Sequence, residues 1–186
     1  MRIISGKYKS RRIPIPEHLK ARPTTDIARE GLFNILQNRI AWEETTALDL
    51  FSGTGSIALE LVSRGCPRVV CVEQNGLHHR FILKAKELLN AKELIPLKAD
   101  VFKLLTSYCE PFDLIVADPP YELPGIDRLP DLIMERGLLK PGGSFILEHS
   151  GKYDFSSHPA FREVRRYGKV HFSFFTFESP PKSLSC

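Results

Sequence analysis

From residue 46 onward, short apolar runs alternate with longer segments in which apolar residues recur at helical spacing. The runs predict five strands, at 47–51, 68–72, 95–98, 112–117 and 144–148. The intervening segments predict helices, at 57–64, 77–89, 101–108 and 131–136. Continuous apolar strands that alternate with helices are typical of a parallel sheet covered on both faces. The pattern therefore predicts an α/β fold with a doubly wound, mostly parallel sheet.

The end of the chain departs from this alternation. Residues 163–167 and 169–177 flank Gly168 with no room for a helix between them. Such a pair predicts an antiparallel hairpin at the end of the sheet. Residues 179–186 are rich in Ser and Pro and are expected to form a flexible tail.

The start of the chain predicts a small β-hairpin and a helix. Segments 2–4 and 12–15 flank a polar turn. A buried helical face then follows, formed by Ala28, Leu32, Ile35 and Leu36, and this helix is expected to end near residue 41. We therefore divide the chain into an N-terminal arm and helix (1–41), an α/β domain (42–178) and the tail.

Charge separates the arm from the rest of the chain. The first 22 residues hold seven bases and one acid, a net charge of +6, whereas the whole chain carries +4. A basic arm on a slightly acidic body fits nucleic-acid binding, because phosphates attract clustered Lys and Arg. The candidates for phosphate contacts are Lys7, Lys9, Arg11 and Arg12, with Tyr8 as a stacking residue. Charge alone fits a solvated hairpin without a partner equally well.

Composition narrows the setting of the protein. A chain of 186 residues with 42% hydrophobic residues fits one globular domain. No apolar run approaches the ~20 residues that cross a bilayer, and Arg2 precedes any signal-like apolar stretch. The four cysteines form no CxxC pair. A cytoplasmic protein without a bound metal is therefore expected.

The turn after the first strand contains two glycines that would let a ligand approach the backbone closely. Gly53 and Gly55, with Glu73 twenty residues beyond Gly53, also fit a dinucleotide-binding fingerprint. Charge distinguishes a dinucleotide from S-adenosylmethionine as the ligand. Asp49 would repel the pyrophosphate of a dinucleotide and attract the ammonium and sulfonium of S-adenosylmethionine. Glu73 then suits the ribose hydroxyls, and Asp100 suits the adenine amine.

Three carboxylates at three consecutive strand ends are more specific than the glycines. The residues that border the same loops, and are expected to line the cofactor, are Phe51, Ser52, Gln74 and Val101. The alternative is that Asp49 and Asp100 serve only as loop caps.

The fourth predicted strand runs directly into Asp118, Pro119, Pro120 and Tyr121. The prolines stiffen the turn and offer no N–H, so the Asp118 carboxylate and the Pro119 carbonyl can both accept from an amino group. Two such acceptors would aim the lone pair of a planar amine, such as guanine N2, at a methyl group. Tyr121 would stack on the base, and Asp118 would also border the cofactor. A rigid turn that merely closes a strand is the alternative.

Together, these segments resemble the RsmD family of bacterial 16S rRNA guanine-N2 methyltransferases from residue 1 to about 177. The resemblance rests on Arg2-Ile3-Ile4-Ser5-Gly6, Arg22-Pro23-Thr24-Thr25-Asp26, Leu32-Phe33-Asn34-Ile35-Leu36, Asp49-Leu50-Phe51-Ser52-Gly53, Ser63-Arg64-Gly65, Val72-Glu73 and Asp118-Pro119-Pro120-Tyr121. It departs from the family at Ile27, where relatives often have Arg, and in the small residues of the glycine turn.

The resemblance implies a Rossmann-like class I methyltransferase domain that uses S-adenosylmethionine on 16S rRNA in the small ribosomal subunit, as a monomer. It further implies that Arg22 and Thr24 contact RNA and that Thr25 borders the cofactor. Two other functions remain open: methylation of adenine N6 in DNA or of a protein glutamine, and a non-catalytic role in ribosome assembly. The intact glycine turn and the intact segment 118–121 favour an enzyme.

Overall fold

A seven-stranded sheet with helices on both faces organises the protein. The computed structural model describes residues 1–19 and 26–177. In chain order its elements are α1 (Asp26–Gln37), β1 (Thr46–Leu50), α2 (Ser56–Arg64), β2 (Arg68–Val72), α3 (Gly76–Leu89), β3 (Leu94–Leu97), α4 (Val101–Leu105), β4 (Phe112–Ala117), α5 (Leu129–Glu135), β5 (Leu139–His149), β6 (Phe161–Tyr167) and β7 (Val170–Thr176). The strand order is β3-β2-β1-β4-β5-β7-β6, and only β7 runs antiparallel to its neighbours. The predicted doubly wound sheet with a C-terminal antiparallel hairpin is confirmed.

The core has two layers because alternate residues of each strand face opposite sides of the sheet. In β1, Ala47 packs among residues of α1, α2 and α3, whereas Leu48 and Leu50 pack among residues of α4 and α5. All three side chains are fully buried. This burial on both faces explains why the strands read as continuous apolar runs.

Several boundaries differ from the sequence expectation. α1 ends at Gln37 rather than near residue 41, because its apolar face ends at Leu36 and the backbone then turns, with Arg39 and Ile40 both donating to the Leu36 carbonyl. β5 begins at Leu139, five residues before the predicted start, and its pairing with β4 is irregular between Phe112 and Leu114. α4 ends at Leu105 rather than at residue 108.

The N-terminal arm forms the predicted hairpin in a short version. Its two segments pair around one antiparallel bridge, between Arg2 and Arg12, and Ile3 N–H donates to the Arg11 carbonyl (3.0 Å) on one side of it.

The hairpin lies on α2, where the Glu60 carboxylate accepts hydrogen bonds from the backbone N–H groups of Ile4 (2.7 Å) and Ser5 (3.0 Å). Glu60 is 1% exposed and also pairs with Arg64. A buried carboxylate therefore anchors the short hairpin to the α/β domain.

The arm shares its core with the α/β domain. Ile3 and Ile13 belong to the same buried cluster as Leu59 and Val62 of α2. The boundary at residues 41 and 42 stays a prediction, and the expected tail at 179–186 lies outside the described residues. Across residues 1–19 and 26–177, none of the helices combines the length and the apolar character that a membrane span requires.

Gly6 sets a test of how tightly the arm is docked. Its φ is +81°, and a Cβ added there would lie 1.7 Å from the backbone oxygen of Ser63. We expect Gly6→Ala to lower the free energy of unfolding by at least about 2 kcal/mol, because either the arm or α2 must shift. Urea unfolding measures this change.

Gly142→Ala is the matched control, since Gly142 has a φ of +74° and no atom of the described residues lies within 4 Å of an added Cβ. Backbone strain alone should cost it about 1 kcal/mol. Equal losses in the two variants would contradict the docked arm.

Candidate active site

The carboxyl ends of four parallel strands bring the predicted site residues to one edge of the sheet. Hydrogen bonds continue the pairing beyond the strands: Ser52 N–H donates to the Val72 carbonyl (2.9 Å) and Asp118 N–H to the Leu50 carbonyl (3.3 Å). Glu73 N–H likewise donates to the Leu97 carbonyl (3.0 Å). The loops after β1, β2, β3 and β4 therefore lie side by side. Such an edge, where the strand order reverses beside β1, is where open α/β sheets bind ligands.

The glycine turn after β1 leaves room above its backbone. Phe51 and Gly53 both have positive φ, +62° and +54°. An ideal Cβ placed on Gly53 would meet no atom of residues 1–19 or 26–177 within 4 Å, so none of these residues covers this backbone. Gly55 N–H donates to the Ser52 carbonyl (2.7 Å) and closes the turn before α2. The turn thus presents bare backbone to a ligand.

Glu73 ties the glycine turn to the end of β2. Its side chain is 8% exposed, and its two carboxylate oxygens accept from the N–H groups of Gly53 (2.7 Å) and Asn75 (2.6 Å). A carboxylate has about four lone-pair sites, so two bonds orient it and still leave acceptor capacity for further donors. Gln74, which follows it, is exposed.

Asp49 is a buried acid within β1. It is 1% exposed, its carboxylate accepts from Ala58 N–H in the first turn of α2 (3.2 Å), and its backbone carbonyl accepts from the Ser52 hydroxyl (2.9 Å). Burial above all, together with the negative charges of Asp118 and Glu73, raises the pKa of Asp49 to about 8, against the lowering effect of hydrogen bonds from Ser52 and Ala58. A cation bound nearby would reverse this effect by favouring the ionised form. The electrostatics of this edge therefore suit a positively charged ligand.

The loop after β3 holds both a predicted and an unpredicted residue. Asp100 caps α4 by accepting from Lys103 N–H (2.9 Å), and Val101 is buried behind it. Phe102 packs edge-to-face against Phe51, with ring centroids 6.2 Å apart. This aromatic pair joins the loops after β1 and β3. Sequence reasoning missed Phe102, although an aromatic residue in the first turn after a strand-end acid is a usable signal.

The segment after β4 is held from the neighbouring strand. Pro119 is buried, Pro120 is exposed, and the Tyr121 hydroxyl donates to Oε1 of Glu148 in β5 (3.0 Å). Glu148 is 2% exposed. Sequence reasoning missed this residue too, and the signal was an acid at the carboxyl end of an otherwise apolar strand.

His149 sits next along β5 but is held as a neutral side chain. Its Nδ1 is 2.8 Å from the Ser150 carbonyl, which can only accept, so Nδ1 carries the proton. Nε2 then accepts from the Ser173 hydroxyl (2.7 Å). Burial lowers the pKa of His149. Both ring nitrogens are engaged, which leaves this histidine as support for β5.

The residues predicted to bind RNA fall into three groups. Lys7 and Tyr8 lie at the C-terminal end of α2, about 10 Å along the helix from the glycine turn. Lys7 pairs with Glu93 (2.5 Å) and lies over the Tyr8 ring, 4.9 Å from its centroid. The exposed group is Lys9, Arg11 and Arg12, whose side chains make no ion pair or hydrogen bond in the part of the chain that the structure describes. Arg22, Thr24 and the predicted cofactor residue Thr25 lie outside the described residues.

Comparison with known proteins identifies the family of this chain. A family model described as Conserved hypothetical protein 95 matches residues 1–176. The chain belongs to this family. It is 28% identical over 179 residues to the protein named Ribosomal RNA small subunit methyltransferase D of Buchnera aphidicola (subsp. Baizongia pistaciae), covering 94% of this chain and 91% of the relative. The resemblance to the RsmD family is confirmed.

Solved structures of similar proteins confirm the class I methyltransferase fold. The structure titled as putative methyltransferase yhhF from Escherichia coli has a TM-score of 0.85 and 24% identity, covering 96% of this chain and 98% of that one. The T. thermophilus 16S rRNA N2 G1207 methyltransferase (RsmC), in complex with AdoMet and guanosine, has a TM-score of 0.65 and 26% identity. That alignment covers 84% of this chain and 44% of the RsmC chain.

The raised pKa of Asp49 predicts a pH-dependent stability difference. An acid whose pKa is higher folded than unfolded stabilises the fold at low pH and loses that contribution as pH rises from about 4 to 8. Asp49→Asn keeps an oxygen acceptor and cannot ionise. We expect the variant to gain on the order of 1–3 kcal/mol relative to the native protein between pH 5.5 and pH 8, without ligand. Urea unfolding at both pH values measures the difference, and a gap that does not change with pH would contradict the buried acid.

Proposed function

We propose that the protein transfers a methyl group from S-adenosylmethionine to the exocyclic N2 amine of a guanine in 16S rRNA of the small ribosomal subunit. One observation carries the proposal: the acceptor segment 118–121 hydrogen-bonds to the end of β1, where the anionic glycine turn begins. A site for an amine and a site for a cationic methyl donor therefore share one edge of the sheet.

The residues at this edge fit S-adenosylmethionine. Asp49 is buried among like charges, which an ammonium would relieve. Glu73 is aligned by two backbone N–H groups and retains acceptor capacity for ribose hydroxyls. Asp100 would accept from the adenine amine, and the lining is completed by Phe51, Ser52, Gly53, Gly55, Gln74 and Val101. When bound, this cofactor supplies an electrophilic methyl group on a sulfonium.

The acceptors after β4 would prepare the amine. Guanine N2 is a weak nucleophile, because its lone pair is delocalised into the ring. The Asp118 carboxylate and the Pro119 carbonyl would each accept one of its N–H groups, favouring a pyramidal nitrogen with its lone pair toward the methyl carbon. The N–C bond then forms as the C–S bond breaks, with its electrons passing to sulfur. The methylated amine is cationic and acidic, so Asp118 or water takes its proton without a histidine base. The rate gain comes from positioning and electrostatics.

Three observations together favour RNA guanine over other amines. The exposed bases Lys9, Arg11 and Arg12 lie on an arm fixed to α2, whose first turn borders the glycine turn. The RsmC structure, which has the same fold, holds AdoMet with guanosine and is named for N2 of a 16S rRNA guanine. The relative from Buchnera aphidicola is named for ribosomal RNA of the small subunit.

Radiolabelled methyl transfer to unmethylated small ribosomal subunits tests the proposal, with nucleoside digestion of the product. We expect label in N2-methylguanosine. Asp118→Ala removes one charged hydrogen bond to the amine and should lower the rate at least about tenfold. Glu135→Ala, which removes an exposed carboxylate at the C-terminal end of α5, should retain full activity. Label in N6-methyladenosine or in protein, or no label at all, would overturn the proposed substrate.

The basic residues of the arm lead to a separate prediction about binding of the small ribosomal subunit. Replacing Lys9, Arg11 and Arg12 together by Ala should weaken binding to the subunit. The slope of log affinity against log salt should fall by up to about 0.7–0.9 for each phosphate that is no longer neutralised. Lys7→Ala should change the slope less, because Glu93 already neutralises Lys7.

Lys103→Ala, on α4 in the opposite helical layer, is the control and should leave the slope unchanged. Filter binding over a salt series measures all of these variants. A triple variant with the native slope would remove the arm from the RNA interface.

A further inference from the structure

The hydrogen bond between Tyr121 and Glu148 joins the acceptor segment to the next strand of the sheet. The Tyr121 hydroxyl donates to Glu148 Oε1 at 3.0 Å. The Tyr121 ring is half-buried, so part of it reaches the surface of the site. The Glu148 carboxylate is 2% exposed. A partly exposed side chain is thus hydrogen-bonded to a buried carboxylate, and we call Glu148 the anchor of Tyr121.

The anchor is rigid because β5 is paired on both sides. Leu147 is in register with Ala117 of β4, and Glu148 is in register with Phe172 of β7. Asp118 follows Ala117, so Glu148 lies in the sheet beside the residue that would hold the amine. The His149 bond to Ser173 fixes the same part of β5 from its other face. The position of Glu148 relative to Asp118 is therefore set by the sheet rather than by a loop.

A carboxylate at the buried position of Glu148 requires a reason. Removing a carboxylate from water is unfavourable, and an apolar residue is often more stabilising at a buried position. The neighbours of Glu148 along β5, Ile146 and Leu147, are fully buried apolar residues. An acid at this place fits a polar task at the site edge better than it fits packing.

We propose that Glu148 is a positioning residue that fixes the Tyr121 ring as the surface on which the target base stacks. The inference rests on the proposed function, since it concerns the base at the same site. A hydrogen bond to the hydroxyl fixes the far end of the ring and so restricts χ1. Because a phenolic O–H prefers to lie in the plane of its ring, the direction of the Glu148 oxygen also favours one ring plane about χ2. A ring held in one orientation presents its face to the base before the base arrives, which reduces the ordering cost of binding. The target amine then meets Asp118 and Pro119 in one geometry.

A double-mutant cycle tests whether Glu148 acts through Tyr121. The proteins are the native chain, Tyr121→Phe, Glu148→Ala and the double variant, assayed for methyl transfer to small subunits. We expect each single variant to lose about tenfold in kcat/KM for the RNA, while KM for S-adenosylmethionine stays unchanged. In the Tyr121→Phe background, Glu148→Ala should cost less than about twofold. Additive losses, or a raised KM for the cofactor, would overturn the positioning role.

Two further variants separate this role from general destabilisation. Glu148→Gln keeps an oxygen that can accept from the hydroxyl, and it should recover most of the activity lost in Glu148→Ala. Tyr108→Phe removes a similar hydroxyl-to-carboxylate bond, to Glu110 (3.1 Å), at a distance from the site and should leave kcat/KM unchanged. Failure of Glu148→Gln to recover activity, or a loss in Tyr108→Phe equal to that in Tyr121→Phe, would contradict the proposal.

A readout without catalysis keeps this inference distinct from the proposed function. In protein labelled with 3-fluorotyrosine, the Tyr121 resonance is assigned by its absence in Tyr121→Phe. We expect one sharp fluorine signal in the native protein and in Glu148→Gln, and a broadened or doubled signal in Glu148→Ala. An unchanged signal in Glu148→Ala would overturn the inference even if methyl transfer is observed. Conversely, a native protein with no methyl transfer but with the expected signals would overturn the proposed function alone.

Discussion

Parallel pairing of β1 with both β2 and β4 is the constraint on which the candidate site depends. Leu50 is in register with Val72 on one side and Ala117 on the other, so the residues that follow emerge at one edge. Three acids, Asp49, Glu73 and Asp118, consequently lie close enough for their charges to raise the pKa of Asp49. This clustering of negative charge is electrostatically unfavourable, and it favours the binding of a cation. The same sheet that stabilises the fold therefore creates the electrostatic demand that a cationic methyl donor would satisfy.

The helix α2 connects the candidate site to the N-terminal arm. Its first turn holds the Asp49 carboxylate through Ala58 N–H, and its second turn holds the arm through Glu60. An arm attached in this way cannot swing independently of the glycine turn. The proposed RNA-binding bases and the proposed cofactor site are thereby kept at a fixed separation along one helix, which suits a substrate much larger than a single nucleotide.

The sequence predicted most of the sheet and the helices because the central strands β1, β2 and β4 are mainly apolar on both faces, and α1 and α3 each have one apolar stripe. It also predicted that Asp49, Glu73 and Asp100 would lie at one edge with the segment that begins at Asp118, since carboxyl ends of parallel strands share an edge. It could not predict the anchoring of the arm, because Glu60 and Ile4 are 56 residues apart. The tie from Tyr121 to Glu148 was equally hidden, because it depends on the register of β5 against β4 rather than on any local pattern.

A crystal structure of the protein with S-adenosylhomocysteine and guanosine 5′-monophosphate tests the central claim most directly. We expect the ribose hydroxyls of the cofactor to hydrogen-bond to Glu73 and its amino-acid portion to lie over Gly53. Guanine N2 should lie within hydrogen-bonding distance of both the Asp118 carboxylate and the Pro119 carbonyl. The guanine ring should stack on Tyr121. A cofactor bound elsewhere, or a base that places another edge against Asp118, would contradict it.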